Sequence, residues 1–437
     1  MPGERTKPAA DALLAGVLRA NPRYELVPLE RLTVAERRQL AELRQEPDLY
    51  GVLRRRDEGP GPGAKAVDCD TALLVLTLRE PGPLPAYLRA SRRDDARRAV
   101  ARLIADGVLE VAHGGAFVSG AAAREVVDPP GGPRAGGRGR LAELSRAALR
   151  HAQALPADDP GLIAAKLYGY NRRPLTPRWR RRLGSADAVR RFLGLAAGDG
   201  HGGGRLGGRA GWSEAAVYGP WWTWHRRGRG RAEPGLASGA VYKLYASPQP
   251  EALAEAGAPL LAALAGAGPF QIKIGGDARA LLRPDKLVAY FSTFERLSAA
   301  AEVLAEQLDG MTVQGVPFTA EIGGDGLLSW GVDPPPAQSA WQSTESWRQR
   351  LTLRLARAIL AARVESAEAP HRPSPPKPSP APLSPLDTPP PDEGGDAPRA
   401  AAAAAPMEPW EFALARLRLD GIDTDTWTPG ALAWREA

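Results

Sequence analysis

From Val241 onward, apolar and polar positions alternate in short runs separated by runs of helical period. "VYKLYASP", "PFQIKIGG" and "DKLVAYF" read as strands, "PEALAEAGAPLLAALAGAG" and "TFERLSAAAEVLAEQLDG" as helices, "VPFTAEIGG" and "LLSWGVDPP" as further strands, and "SWRQRLTLRLARAILAARVE" as a closing helix. Strands alternating with single helices predict a compact α/β or α+β layer. In "FQIKI" the period of two puts Phe270, Ile272 and Ile274 on one face and Gln271 with Lys273 on the other. Lys243 opposes Tyr242 and Leu244 in the same way, and Lys286 opens the next strand, with Arg279 and Arg283 in the loop before it. These cations either lie on a solvated sheet face or converge on an anion.

Upstream, "DTALLVLTLREPGPLPAYL" predicts an apolar helix stopped by Gly82 and Pro83, then a short second helix. In "DDARRAVARLIADGVLEVAHGGAFVSG", Ala96, Val100, Leu103 and Ile104 share a helical face that closes at Gly107. Alternation then runs through Val108 and Val111, with "HGG" as a hairpin turn before Phe117 and Val118. Helix, helix, helix, hairpin is the order of a winged helix, with "PDLYGVLRRR" and "KAVDCD" as preceding strand candidates. Such a module reads DNA through its third helix, where Arg97, Arg98 and Arg102 lie off the apolar face, or takes a peptide at a sheet edge, or only packs. The pattern leaves these open, with DNA not favoured over a peptide.

Composition shifts mark the boundaries. "DPPGGPRAGGRGR" ends an N-terminal winged-helix-like domain, 1–127. A helical and aromatic-rich middle region, 141–235, contains "YGYNRRPLTPRW" and "YGPWWTWHRR". In it Tyr168, Tyr170, Asn171, Arg172 and Trp179 form either a packing corner or a base-stacking surface. The lysine-bearing α/β domain, 236–365, precedes a disordered Pro/Ala-rich linker, 366–406. The end, 407–437, carries Trp410, Phe412, Leu414, Leu417 and Leu419 as the stripe of a docking helix, with Trp427 and Trp434 beyond it. So short a helix cannot stand alone. A protein partner or second subunit is the expected target ahead of an internal cap.

The chain has 437 residues, 43% of them hydrophobic, enough for two or three cores. Its formal charge of +7 is mainly arginine in Ala/Gly/Pro-rich segments and argues only weakly for nucleic acid. The single Cys69 excludes an intramolecular disulfide framework and thiolate clusters and fits the cytoplasm. With no apolar run of about eighteen residues, no membrane span is expected. No serine-histidine-aspartate pattern, phosphate loop or spaced carboxylate pair stands out.

The run "YKLYASPQPEAL…GPFQIKIGG…LLRPDKLVAYF…GVPFTAEIGGDGLLSWGVDPP…SWRQRL", from about Val241 to Glu365, resembles the HopA-type effector family and its relatives among the lyases of class V lanthipeptide biosynthesis. More loosely it is similar to the phosphothreonine lyases, in which a strand lysine removes the α-proton while other cations hold the phosphate. The resemblance implies a peptide-maturation lyase acting on phosphoserine or phosphothreonine of a ribosomally made precursor peptide, with a separate kinase or cyclase protein as partner and with no cofactor or metal. On that reading Lys273 is the base, and Lys243, Lys286 and Arg283 hold the phosphate. His225, picked from its tryptophan- and arginine-rich surroundings, is the acid. The alternative is a non-catalytic adaptor or regulator that binds peptide, protein or DNA.

Overall fold

The computed structural model describes residues 13–43, 45–57, 64–89, 93–128, 137, 139–195, 211–214, 219–227, 239–335, 345–368 and 407–430. The 369–406 part of the expected linker, and Trp434, lie outside these residues. The fold is mixed α+β.

The N-terminal part holds two small antiparallel sheets. One joins β1 (Val17–Ala20), β5 (Gly82–Pro83), β6 (Leu109–His113) and β7 (Ala116–Val118) in the order β5-β1-β6-β7. The other joins β2 (Tyr24–Pro28), β3 (Leu49–Arg55) and β4 (Lys65–Asp68). Helices Cys69–Thr77, Ala86–Arg89 and Arg93–Ala105 precede the β6–β7 hairpin. Asp68 starts the first of these by accepting the Thr71 N–H, and Gly107, with φ +73°, turns the chain out of the last. Leu18, Leu74, Leu78, Val100, Ile104, Leu109 and Val111 form their common core.

The main sheet is seven-stranded and antiparallel throughout, in the order β13-β14-β10-β12-β11-β9-β8. Its strands are β8 (Trp212–Glu214), β9 (Trp221–Arg226), β10 (Val241–Ala246), β11 (Gln271–Gly275), β12 (Leu287–Phe291), β13 (Ala320–Ile322) and β14 (Leu328–Asp333). "WWTWHR" is therefore a strand of this sheet, paired with β11, and the sheet draws on residues that composition groups with the middle region. Alternation explains the fit. Trp222 and Trp224 join Ile272, Ile274, Leu244, Leu287 and Ala289 in the core beneath helices Leu253–Gly266 and Phe294–Gln307, while Trp221, Thr223 and His225 point to the opposite face.

A second core gathers helices Arg140–Gln153, Pro160–Tyr168 and Trp347–Glu368 with the C-terminal helix Pro409–Leu419. Trp410, Phe412, Leu414 and Leu417 are all buried against the same chain. The stripe expected to seek a partner is thus satisfied internally, because the 347–368 helix offers Trp347, Leu351, Leu355 and Ile359 as a continuous apolar face. Charges align this packing. Arg416 donates to both carboxylate oxygens of Asp106 at 2.7 and 2.8 Å, Arg418 pairs with Asp128, and Asp420 receives Arg354 and Arg416 and lies 3.9 Å from Arg102. Arg102, one of the three arginines of the third N-terminal helix, therefore faces the C-terminal segment rather than open solvent.

Trp410 sits in this core under the Arg150 guanidinium, 5.1 Å from its ring centre. Trp410→Ala is expected to cost about 3–5 kcal/mol of unfolding free energy, read from the urea midpoint at unchanged slope.

Candidate active site

The strand register lays out the face of the main sheet that lies opposite helices Leu253–Gly266 and Phe294–Gln307. One row runs Thr223, Lys273, Val288, Tyr245, Ser329, and the next runs His225, Gln271, Tyr290, Lys243, Gly331. Two lysines, a histidine, a glutamine and two tyrosines thus share one face of the sheet, on which Thr223, Val288, Tyr245 and Ser329 are buried, with Val316 packed among Tyr245 and Val288. Gly331 ends the second row because the Trp347 indole lies on it; a Cβ there would fall 2.6 Å from Trp347 Cδ1. The start of the 347–368 helix is in this way clamped to the sheet.

The residue after that indole, Arg348, is 1% exposed. It donates to Asp285 Oδ2 at 2.9 Å, to the Pro317 carbonyl at 3.2 Å and to the Tyr168 carbonyl at 2.7 Å, with its guanidinium 4.3 Å from the Tyr168 ring centre. Asp285 also accepts two hydrogen bonds from Arg283, each 2.8 Å, and one from the Tyr168 hydroxyl at 3.1 Å. Burial alone would raise the Asp285 carboxyl, but the Arg348 and Arg283 charges and these hydrogen bonds hold it well below the usual carboxylate range. Arg283 is held at the edge of the face, 5.0 Å from the Trp221 ring centre and 5.4 Å from that of Tyr168.

Lys273 stands next to it, half-buried, with Nζ 4.4 Å from the Trp221 ring centre. Burial, and then the charges of Lys243 and Arg283, push its pKa below the ordinary lysine value, against an opposing pull from Asp285. Lys243 forms an ion pair with Asp333 and lies 5.5 Å from the Tyr290 ring centre. His225 is exposed at the rim, on the strand adjoining Lys273 and one row away, about 7–8 Å by pairing geometry. Arg279 is exposed in the short Ala278–Leu281 helix.

Lys286 corrects the sequence expectation. It is fully buried and donates to the Pro248 carbonyl at 2.8 Å, so it cannot hold a phosphate that enters from solvent. Burial lowers its pKa to about 7. Its task is structural: it ties the start of β12 to the turn after β10, where Ser247 Oγ also donates to the Pro284 carbonyl. The structure thus brings together Lys243, Lys273, Arg283 and His225, sets Lys286 apart, and adds Trp221, Tyr168, Asp285, Arg348 and Tyr290. Tyr168 and Trp221 were visible only as members of aromatic clusters. Asp285, directly before Lys286, and Arg348, in "SWRQRL", carried no periodic signal, because their meaning arises from a contact between residues 63 positions apart.

No family model matches the chain, and no curated protein matches it. Among solved structures, it is similar to an effector protein from Pseudomonas syringae pv. tomato strain DC3000, at 14% identity and a TM-score of 0.35, over 66% of this chain and 96% of that one. An effector protein from Pseudomonas syringae pv. syringae strain 61 is similar at 12% identity and a TM-score of 0.30, over 52% of this chain and 95% of that one. Similarity at this level is weak and defines no activity. Among the described residues no helix is long and apolar enough to cross a membrane, and no cluster of histidine, cysteine and carboxylate side chains has the makings of a metal site.

The buried lysine yields a pH prediction. Between its folded value of about 7 and its ordinary value of 10.5, Lys286 binds fewer protons folded than unfolded, so its contribution to stability grows as pH rises through that window and is lost as pH falls through 7. Lys286→Met removes this dependence. Urea unfolding at pH 6.5 and 9.5 is expected to show a steeper gain with pH for the wild type than for the variant.

Proposed function

We propose that the lysine-bearing face is a phosphate-eliminating site acting on phosphoserine or phosphothreonine in a peptide. The observation that carries this reading is Lys273: a half-buried lysine of lowered pKa, stacked on Trp221 and flanked by the cations Arg283 and Lys243. β-Elimination needs a neutral base at the α-carbon and fixed positive charge at the leaving phosphate. One cation cluster meets both needs when it leaves one member readily neutral.

On this reading the Lys273 amine takes the α-proton, the electron pair forms the α,β double bond, and the Cβ–O bond breaks to release phosphate. His225 at the rim supplies a proton to the leaving oxygen. Arg283 and Lys243 hold the phosphate, and Lys286 has no part in it. The product is a dehydroamino acid, and no cofactor or metal is called for. The 241–365 motifs that resemble the class V lanthipeptide lyases and HopA-type effectors point to a ribosomally made precursor as substrate, phosphorylated by a separate kinase. The N-terminal helices and hairpin, read as a winged-helix module, would hold the leader of that precursor. A DNA-reading role has less support, since Arg102 is turned to the C-terminal segment.

Phosphothreonine peptides, offered with and without a leader, are expected to lose the mass of phosphoric acid when incubated with the full-length protein. Lys273→Ala is expected to slow this by roughly 10²–10⁴-fold with an unchanged melting temperature. A wild-type protein that binds these peptides and leaves all of them intact is a phosphopeptide-binding module, and the lyase reading fails.

A further inference from the structure

Three described non-glycine residues have left-handed backbone: Asn171 (φ 66°), Phe318 (φ 63°) and Trp427 (φ 59°). All three meet at one loop, residues 313–319. Asn171 Nδ2 donates to the carbonyls of Gln314 and Gly315, at 2.6 and 3.1 Å. Phe318 lies within the loop, fully buried, its N–H donating to Ser145 Oγ at 2.9 Å. Trp427, in the C-terminal segment, packs edge-on against Phe318 with ring centres 5.1 Å apart and planes at 79°. Non-glycine residues persist in this conformation only where their surroundings impose it.

The imposed geometry leads into the site. Pro317, directly before Phe318, turns its carbonyl to Arg348 Nε, Arg348 holds Asp285, and Asp285 holds Arg283 beside Lys273. Should Phe318 relax to negative φ, the Pro317 carbonyl would turn away and free one corner of Arg348. The Trp427 turn is itself tightly seated: a Cβ on Gly137 would fall 1.6 Å from the Asp425 carbonyl oxygen. The indole N–H of Trp427 is buried with no hydrogen-bond partner, so the ring serves by shape.

We infer that Trp427 is a positioning residue for Arg283: docked on Phe318, it locks the 313–319 loop and, through Arg348 and Asp285, sets the guanidinium that faces Lys273. The inference rests on reading the lysine-bearing face as the site, and it makes the C-terminal segment a working part of that site from outside it.

The test reads Lys273 without any substrate, in the full-length chain. The groups facing Lys273 are Lys243, Arg283 and Asp285. Acetic anhydride labelling is followed by mass spectrometry from pH 7 to 10, with exposed Lys166 as reference. With Arg283 released, Lys273 regains its proton more readily, so Trp427→Ala is expected to slow its labelling at pH 8 roughly threefold. Trp427→Phe is expected to keep the wild-type profile. Arg283→Ala slows labelling as much as Trp427→Ala does, and the double variant no further. An unchanged Lys273 profile in folded Trp427→Ala overturns the inference, as do effects of Trp427→Ala and Arg283→Ala that add. Should Trp427→Ala unfold, seen as labelling of buried Lys286, then Trp427→Phe against Trp427→Leu decides: a slower Leu variant supports the inference and equal rates overturn it. A wild type that eliminates no phosphate removes the lyase reading and leaves these labelling outcomes as they stand.

Discussion

The ion pair between Arg348 and Asp285 is the contact on which the rest of the site depends. Both side chains are out of water, and a buried charge that loses its partner costs about 3–5 kcal/mol. The pair is tolerable because every polar edge is used: Arg348 reaches two backbone carbonyls as well as Asp285, and Asp285 collects Arg283 and Tyr168. In one knot it ties the 347–368 helix, the 160–168 helix, the 313–319 loop and the start of β12. Apolar residues of similar volume often replace a buried ion pair without loss of stability. Only the charged knot leaves an arginine with one side satisfied and its remaining surface turned toward an aromatic-lined face.

Charge balance on that face distinguishes its members. Lys243 has Asp333, Arg283 has Asp285, and Lys286 is committed to a backbone carbonyl. Lys273 has Trp221 instead, whose ring attracts a cation but brings no full negative charge. It is therefore the member of the cluster whose ammonium is least compensated. Paired cations nearby keep their charge and raise the cost of one more. On the lyase reading proposed above, the paired members are the phosphate holders and the unpaired one is the base.

Most of the elements were legible because their periods are clean. β10, β11, β12 and both helices on the covered face fall where alternation and the 3.6-residue repeat place them. The grouping of Lys243 with Lys273 followed from the same alternation, since a period of two fixes the face of every residue once strands pair. The failures have separate causes. Lys286 shares the parity of its strand, but it sits where the strand begins, beneath the turn at Pro248, and alternation says nothing of what covers a face. "WWTWHR" was ambiguous because it is short, with tryptophans on both of its faces, and so lacks a polar side to show. Arg348 and Asp285 belong to two elements whose meeting no local pattern announces.

The C-terminal segment shows how a sequence feature can be read correctly and its target misplaced. An amphipathic helix too short to stand alone must dock, but the stripe does not name the surface that receives it. Arg363, near the end of the 347–368 helix, donates to the carbonyls of Ala152 and Gln153, and the Trp410 N–H, near the start of the C-terminal helix, is bonded by Gln153 Oε1. Both the 347–368 helix and the C-terminal helix are thus bonded at the same end of the 140–153 helix. The segment's placement is carried by its own contacts. Those are the Trp410 to Leu417 stripe at one end, the Arg416, Arg418 and Asp420 pairs in the middle, and Trp427 against Phe318 at the other. The first two fix where the helix lies. The third meets the 313–319 loop, whose Pro317 carbonyl accepts from the buried Arg348.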